Sequence, residues 1–207
     1  MKNLTKLQNE VKNIITKNEP AHDFEHILRV YKNAQKICKT EKADKKLVLS
    51  AVLLHDIVSF PKSDKRSKTA STKSANKAKK ILKRFNFTMN EIKIIIDAID
   101  SHSFSKNKKP KTLESKILQD ADRLDALGAI GIARTFAVGG GENRSFYNKN
   151  DPFCSSRTPN DQKWTVDHFY KKLLILQTRM HTRFAKNEAK RRTKILKKFL
   201  SDLKKEI

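Results

Sequence analysis

The sequence predicts an all-α protein. Apolar residues recur at three- and four-residue spacing through most of the chain, one stretch around residue 50 is apolar almost throughout, and no series of alternating strands or internal repeats interrupts the pattern.

Taken in order, Leu4, Leu7, Val11, Ile14 and Ile15 mark a first helix over 4–15, stopped by Asn18-Glu19-Pro20. A second runs from about 23 to 41, with Phe24, Ile27, Tyr31, Ala34 and Cys38 on one face. The third, KKLVLSAVLLHDIV at about 45–58, is apolar nearly all round and reads as the central buried helix. The run 61–80 is rich in lysine, serine and threonine; its first half reads as a mobile loop, its second as the entry to a helix carrying Ala75, Ala78, Ile81, Leu82 and Phe85. Ile92, Ile95, Ile96 and Ile99 define a helix over 90–101, and a polar loop covers 103–112. One long helix is expected from about Leu113 to Phe136. All five glycines lie between 128 and 141, and Gly139-Gly140-Gly141 is expected to end that helix and open a loop or lid over 139–161. Residues 162–205 read as helical again, with a break near Thr182. The whole is expected to be a single helical domain over 1–207, its site-bearing core at about 20–137.

Lysine and arginine total 46 against 22 acids, a formal net charge of +24 in 207 residues. A field of that sign attracts nucleotides, nucleic acid and anionic surfaces. The cations are spread over nearly the whole chain, without an arginine cluster or aromatic–basic alternation to mark a reading surface. Cys38 and Cys154 stand far apart and outside any CxxC pair, which argues against a disulfide framework or a cysteine zinc site and suits a reducing, cytoplasmic setting. The N-terminal residues lack a signal-peptide apolar stretch, and no run approaches the roughly 20 apolar residues that span a bilayer.

The chemistry lies in three clusters. His22 and His26 are four apart at the start of the second helix, hence on one face. His55 and Asp56 stand at the end of the most apolar helix, where an unpaired carboxylate faces a large desolvation penalty. Gln119-Asp-Ala-Asp-Arg-Leu-Asp125 puts three carboxylates into an otherwise apolar helix. Asp120 and Asp122 point about 200° apart around it and cannot share a face, whereas Asp122 and Asp125 can. A lone helix-start histidine is ordinarily a cap or a surface residue; three such clusters on three helices are not ordinary.

AHDFEHILRV, AVLLHDI and LQDADRLDALGAIGIAR together resemble the HD superfamily of metal-dependent phosphohydrolases, in particular a bacterial-type subgroup that opens with HDxxHxxRV. The likeness runs from about residue 20 to residue 200, and His102 in SHSFS and the HFYKKLL segment fit it as well. The resemblance implies four ligands to one divalent ion, His26, His55, Asp56 and Asp122, with Asp122 rather than Asp120 as the distal aspartate. It also implies capping or supporting roles for Asp23 and Asp125. Two imidazoles and two carboxylates suit a six-coordinate Mn²⁺, Mg²⁺, Co²⁺ or Fe²⁺ with positions left open for water and a phosphoryl oxygen. His102 is a candidate donor to a phosphate or leaving group. His22, Lys65, Arg66, Lys68, Arg134, Lys171 and Lys172 are candidates for holding substrate phosphates.

The expected activity is hydrolysis of a phosphate ester or anhydride in a small nucleotide, nucleoside or deoxynucleoside triphosphates first among them. The competing readings are a basic helical nucleic-acid-binding protein that keeps the ligand residues as remnants, and a nuclease. The intact ligand set favours the enzyme over the binder. The dispersed cations, an aromatic content of 7%, and two loops long enough to close over a small substrate favour small nucleotides over polymers.

Overall fold

The computed structural model describes residues 2–15, 23–60 and 64–207, and among these it is all-α, with one isolated bridge between Ser145 and Trp164 in place of any strand. The chain divides into two compact units, Met1–Asp122 and Arg123–Ile207.

In the first unit, α1 (Lys2–Ile15), α2 (Phe24–Ile37), α3 (Lys45–Leu54), α4 (Ala70–Arg84), α5 (Met89–Ser101) and the start of α6 (Leu113–Asp125) surround one core. Every residue of α3 from Leu47 to Leu54 is buried, and α1, α2 and α5 pack against it, so it is the central helix its composition implies. Asp44 caps it by accepting from the amides of Lys46 and Leu47, at 2.8 and 3.1 Å. A capping box between Thr88 and Glu91 starts α5. Asn33 on α2 donates to the Ala121 carbonyl, and Gln119 donates to those of Ser101 and Lys108, which fixes α6 against its neighbours.

Several boundaries differ from the sequence expectation. α3 stops at Leu54, not near 58, because the chain turns at His55 and Asp56. The segment read as a mobile loop contains a 3₁₀ turn, Lys65–Thr69, held by Asp64, which accepts from the Arg66 amide; Pro61, Lys62 and Ser63 lie outside the described residues. The single long helix expected from 113 to 136 is two helices, α6 and α7 (Gly128–Gly141), parted at Ala126 and Leu127. The physical reason is Gly128, whose φ of +75° is left-handed and stops the helical ladder. The glycine triplet lies inside the last turn of α7, so the following loop begins at 142.

In the second unit that loop is tied by carboxylates. Asp167 is fully buried, takes a two-pronged contact from Arg157 at 2.5 and 2.7 Å, and accepts from the Asn160 amide. Asp151 accepts from the amides of Ser155 and Ser156. Turns over 161–166 give way to helix at Asp167 and His168, and a π-helical turn (Phe169–Leu173), a single α turn α8 (Leu174–Leu176) and a 3₁₀ turn (Gln177–Arg179) then lead to α9 (Arg183–Glu206), so residues 162–166 are not helical as expected. The break anticipated near Thr182 is present, with the Thr182 hydroxyl capping α9 through the Ala185 amide. Phe169 stacks on Phe199 at 5.6 Å, and Phe136 meets Phe199 edge-on at 5.7 Å.

Glu188 binds α9 to the end of α6. It takes Nε and Nη2 of Arg191 and Nε of Arg192, and Arg192 in turn donates to the Leu124 carbonyl at 2.6 Å. The Arg191 hydrogen bonds lead the causes that pull the Glu188 carboxyl down to about 2; burial opposes them, and Arg192 adds to them. A depressed carboxyl contributes stability that is complete above its unfolded value, near 4.3, and that is lost as pH falls toward 2. Glu188→Gln should therefore lower stability by about 1 kcal/mol at neutral pH and flatten the loss between pH 4.5 and 2, as read by urea denaturation across that range.

Candidate metal centre

His26 lies in the first turn of α2. Asp23, the cap of that helix, accepts from the His26 amide itself at 2.8 Å, so the capping acid sets the position of the imidazole. His55 ends α3 and His102 ends α5, each at the C-terminal cap position. Both imidazoles return to their own helix: His55 Nδ1 meets the Val52 carbonyl at 2.7 Å, and His102 Nδ1 meets that of Ile99 at 2.6 Å. A carbonyl only accepts, so both Nδ1 atoms carry hydrogen. Each contact satisfies a helix-end carbonyl and turns Nε2 outward in a fixed tautomer.

The three imidazoles converge. The His26 and His55 rings are 5.4 Å apart, and His55 and His102 meet edge-on at 4.9 Å. Asp56 Oδ2 lies 3.7 Å from His26 Nε2 and 3.6 Å from His55 Nε2, while its Oδ1 lies 3.4 Å from His102 Nε2. From α6, Asp122 Oδ1 approaches His26 Nε2 at 3.5 Å and His55 Nε2 at 3.9 Å. One ligand atom each from His26, His55 and Asp56 falls within 4.8 Å of the others, a spacing that can hold an ion. His55 Nε2 is buried and has no hydrogen-bond partner among the described residues, which is costly for an imidazole lone pair unless a cation takes it.

The electrostatics match. Burial lowers the His55 pKa and favours the neutral, ligating form, although Asp56 opposes this. For Asp122, burial works against ionisation, but His26, His55 and His102 outweigh it and the pKa is lowered. For His102, burial disfavours charge, but hydrogen bonding and attraction to Asp56 prevail and the pKa is raised.

His26, His55, Asp56, His102 and Asp122 are thus brought together. Asp120 is fully buried in α6 two residues before Asp122. His22 lies outside the described residues. Lys65, Arg66 and Lys68 sit in the exposed 3₁₀ turn a few residues after Asp56, with Arg66 clamped by Asp64. In the second unit, Arg134 is held by the buried Asp125 at 2.7 Å, and Lys171 by Asp161 at 2.6 Å. Asp161 also takes His168 Nδ1 at 2.8 Å, and Lys172 adds a positive charge near that imidazole. The role of Asp161 had no sequence signal, since it stands in a loop seven residues from its histidine. The histidine-to-carbonyl contacts were also missed, though a histidine directly after an apolar helix is the trace they leave.

A family model described as the HD domain matches residues 23–127. The chain is 31% identical over 211 residues to the Bacillus subtilis (strain 168) protein YpgQ, covering 100% of this chain and 95% of that one. The crystal structure of YpgQ in complex with ADP is similar with a TM-score of 0.76 at 30% identity, over 100% of this chain and 95% of the other. An HD-superfamily hydrolase from Bacillus thuringiensis gives 0.76 at 34% identity, and a Lactobacillus plantarum protein 0.81 at 30%, each over 99% of this chain and 96% of its own.

The paired helix-end contacts predict that His55 and His102 are both protonated at Nδ1. Nitrogen chemical shifts of labelled imidazoles should place the hydrogen there for both; an Nε2–H tautomer at His55 would contradict the arrangement.

Proposed function

Because this chain belongs to the HD domain family and is a metal-dependent phosphohydrolase, we propose that it hydrolyses phosphoester or phosphoanhydride bonds of small nucleotides, with nucleoside and deoxynucleoside triphosphates as the leading substrates. The observation that carries the reading is the convergence of His26, His55 and Asp56, with Asp122 against both imidazoles. The crystal structure of a similar protein, YpgQ, in complex with ADP supports the nucleotide as substrate class.

The donors fit a divalent ion. The buried, unshared Nε2 of His55 and the carboxylates beside it form the mixed nitrogen and oxygen set that Mn²⁺, Mg²⁺, Co²⁺ or Fe²⁺ accepts, one ion per chain. His26, His55, Asp56 and Asp122 would hold it. When bound, the ion supplies Lewis acidity toward a phosphoryl oxygen and lowers the pKa of water. The remaining work falls to the chain. The Val52 carbonyl keeps the His55 lone pair aimed at the site, and Asp23 keeps His26 in place. His102 stands 3.4 Å from Asp56 Oδ1; burial disfavours its charge, but that carboxylate raises its pKa, so Nε2 can take up a proton that steadies the carboxylate and passes to a leaving oxygen. Lys65 and Lys68, exposed just beyond Asp56, contribute positive charge toward the substrate phosphates. Asp122, not Asp120, serves as the distal ligand in this reading, supported by Asp122 Oδ1 at 3.5 Å from His26 Nε2 and 3.9 Å from His55 Nε2.

The test is turnover of a nucleotide panel with Mn²⁺, Mg²⁺ or Co²⁺, products separated by anion exchange, beside degradation of single-stranded and duplex DNA and RNA at matched salt. Triphosphates should be consumed. Polymer cleavage with triphosphates untouched would replace this reading by a nuclease. His55→Ala and Asp56→Ala should lose bound metal and at least about 100-fold in activity. Asp122→Asn should lose far more activity than Asp120→Asn; the reverse order would move the ligand to Asp120.

A further inference from the structure

α9 carries ten cations and three acids over 24 residues, and their arrangement separates them. Arg183, Lys186, Lys190, Lys194 and Lys197 are all exposed. At about 100° per residue they fall within a sector of roughly 80°, and they extend over about 21 Å of the helix with about 5 Å between successive side chains. The acids Glu188, Asp202 and Glu206 project from the other side of the helix. Glu188 is taken by Arg191 and Arg192, and Asp202 by Lys198 and Lys205. None of the five row residues forms an ion pair with a described residue. The self-repulsion of such a row is relieved only by salt or by an external polyanion.

The chemistry around the row narrows the partner. An interfacial membrane helix needs an exposed apolar face to sink into lipid. Here the apolar face, Ala185, Ala189, Leu196 and Leu200, is buried, and Ile195, at 37% exposure the one exposed large apolar side chain of α9, projects about 140° away from the row. A single strand is gripped by aromatic stacking platforms, and α9 exposes no aromatic ring. What remains is a line of flexible positive charges about 21 Å long, matched in sign and linear form to a phosphate backbone.

We propose that the exposed row Arg183, Lys186, Lys190, Lys194 and Lys197 of α9 binds the phosphate backbone of a nucleic-acid duplex, independent of base sequence. This surface is independent of the hydrolytic reading: the duplex is held and not cleaved, and its charge dependence is separate from small-nucleotide turnover.

Salt dependence measures it. Five phosphate contacts give log K against log salt a slope of about −4.5, or about a 500-fold loss of affinity between 50 and 200 mM salt. With a labelled duplex of random sequence, read by anisotropy on the full chain, the triple variant Lys190→Gln/Lys194→Gln/Lys197→Gln should reduce that slope to about −1.8, a loss of about 12-fold over the same range. Nucleotide turnover should be unchanged, which also shows that the variant is folded. The control is Lys77→Gln/Lys79→Gln/Lys80→Gln on the exposed side of α4, which removes the same charge elsewhere and should leave the slope in place. An equal loss in both variants makes the binding a property of the net charge and overturns the proposal. So does an unchanged slope in the α9 variant, or binding to vesicles of anionic lipid with none to the duplex.

Discussion

The site depends on what happens at the end of a helix that has no access to water. α3 is buried from Leu47 onward, so whatever follows Leu54 emerges inside the protein. The last carbonyls there need donors and the side chains there need partners. His55 answers the first need with its own imidazole, which leaves the second nitrogen and the adjoining Asp56 to be met by groups from α2, α5 and α6. The cluster is thus a local solution to burying polar groups, and the donor set it assembles is one that can hold a cation.

Acids are scarce in this chain, and the structure uses them as fasteners. Asp167 holds Arg157 and the Asn160 amide, Asp125 holds Arg134, Asp161 holds His168 and Lys171, and Glu188 holds Arg191 and Arg192. On the first unit Asp100 gathers Lys106, Lys108 and Thr72. Most of these carboxylates are partly shielded and face guanidinium or ammonium groups, a geometry worth more than an exposed surface pair. The excess positive charge is left on helix faces.

The helical class, the buried α3 and the start of α9 were legible because apolar spacing and capping residues act locally. The residues that converge were legible too, since imidazoles and carboxylates in apolar helices have few other reasons to be there. What the sequence hid were effects of backbone conformation and of distant partners. Gly128 looked like one more residue of a long helix until its left-handed φ divided α6 from α7. Residues 162–166 carry enough apolar character to read as helix, but they stay in turns beside the ties of the buried Asp167 to Arg157 and Asn160. Arg134 and Lys171 are phosphate candidates by charge; that each also holds a carboxylate depends on contacts no spacing rule reveals.

Two of the clustered imidazoles are also the final bolts of their helices. Since His55 and His102 close the last carbonyls of α3 and α5, fraying of either terminus takes a side chain out of the cluster, and whatever grips those side chains restrains the fraying. Local unfolding of two helix ends and occupancy of the cluster are therefore a single linked equilibrium: a ligand bound only by the assembled form stabilises it by RT ln(1 + [L]/Kd). Slowed amide exchange in the closing turns of α3 and α5 is where that linkage becomes visible.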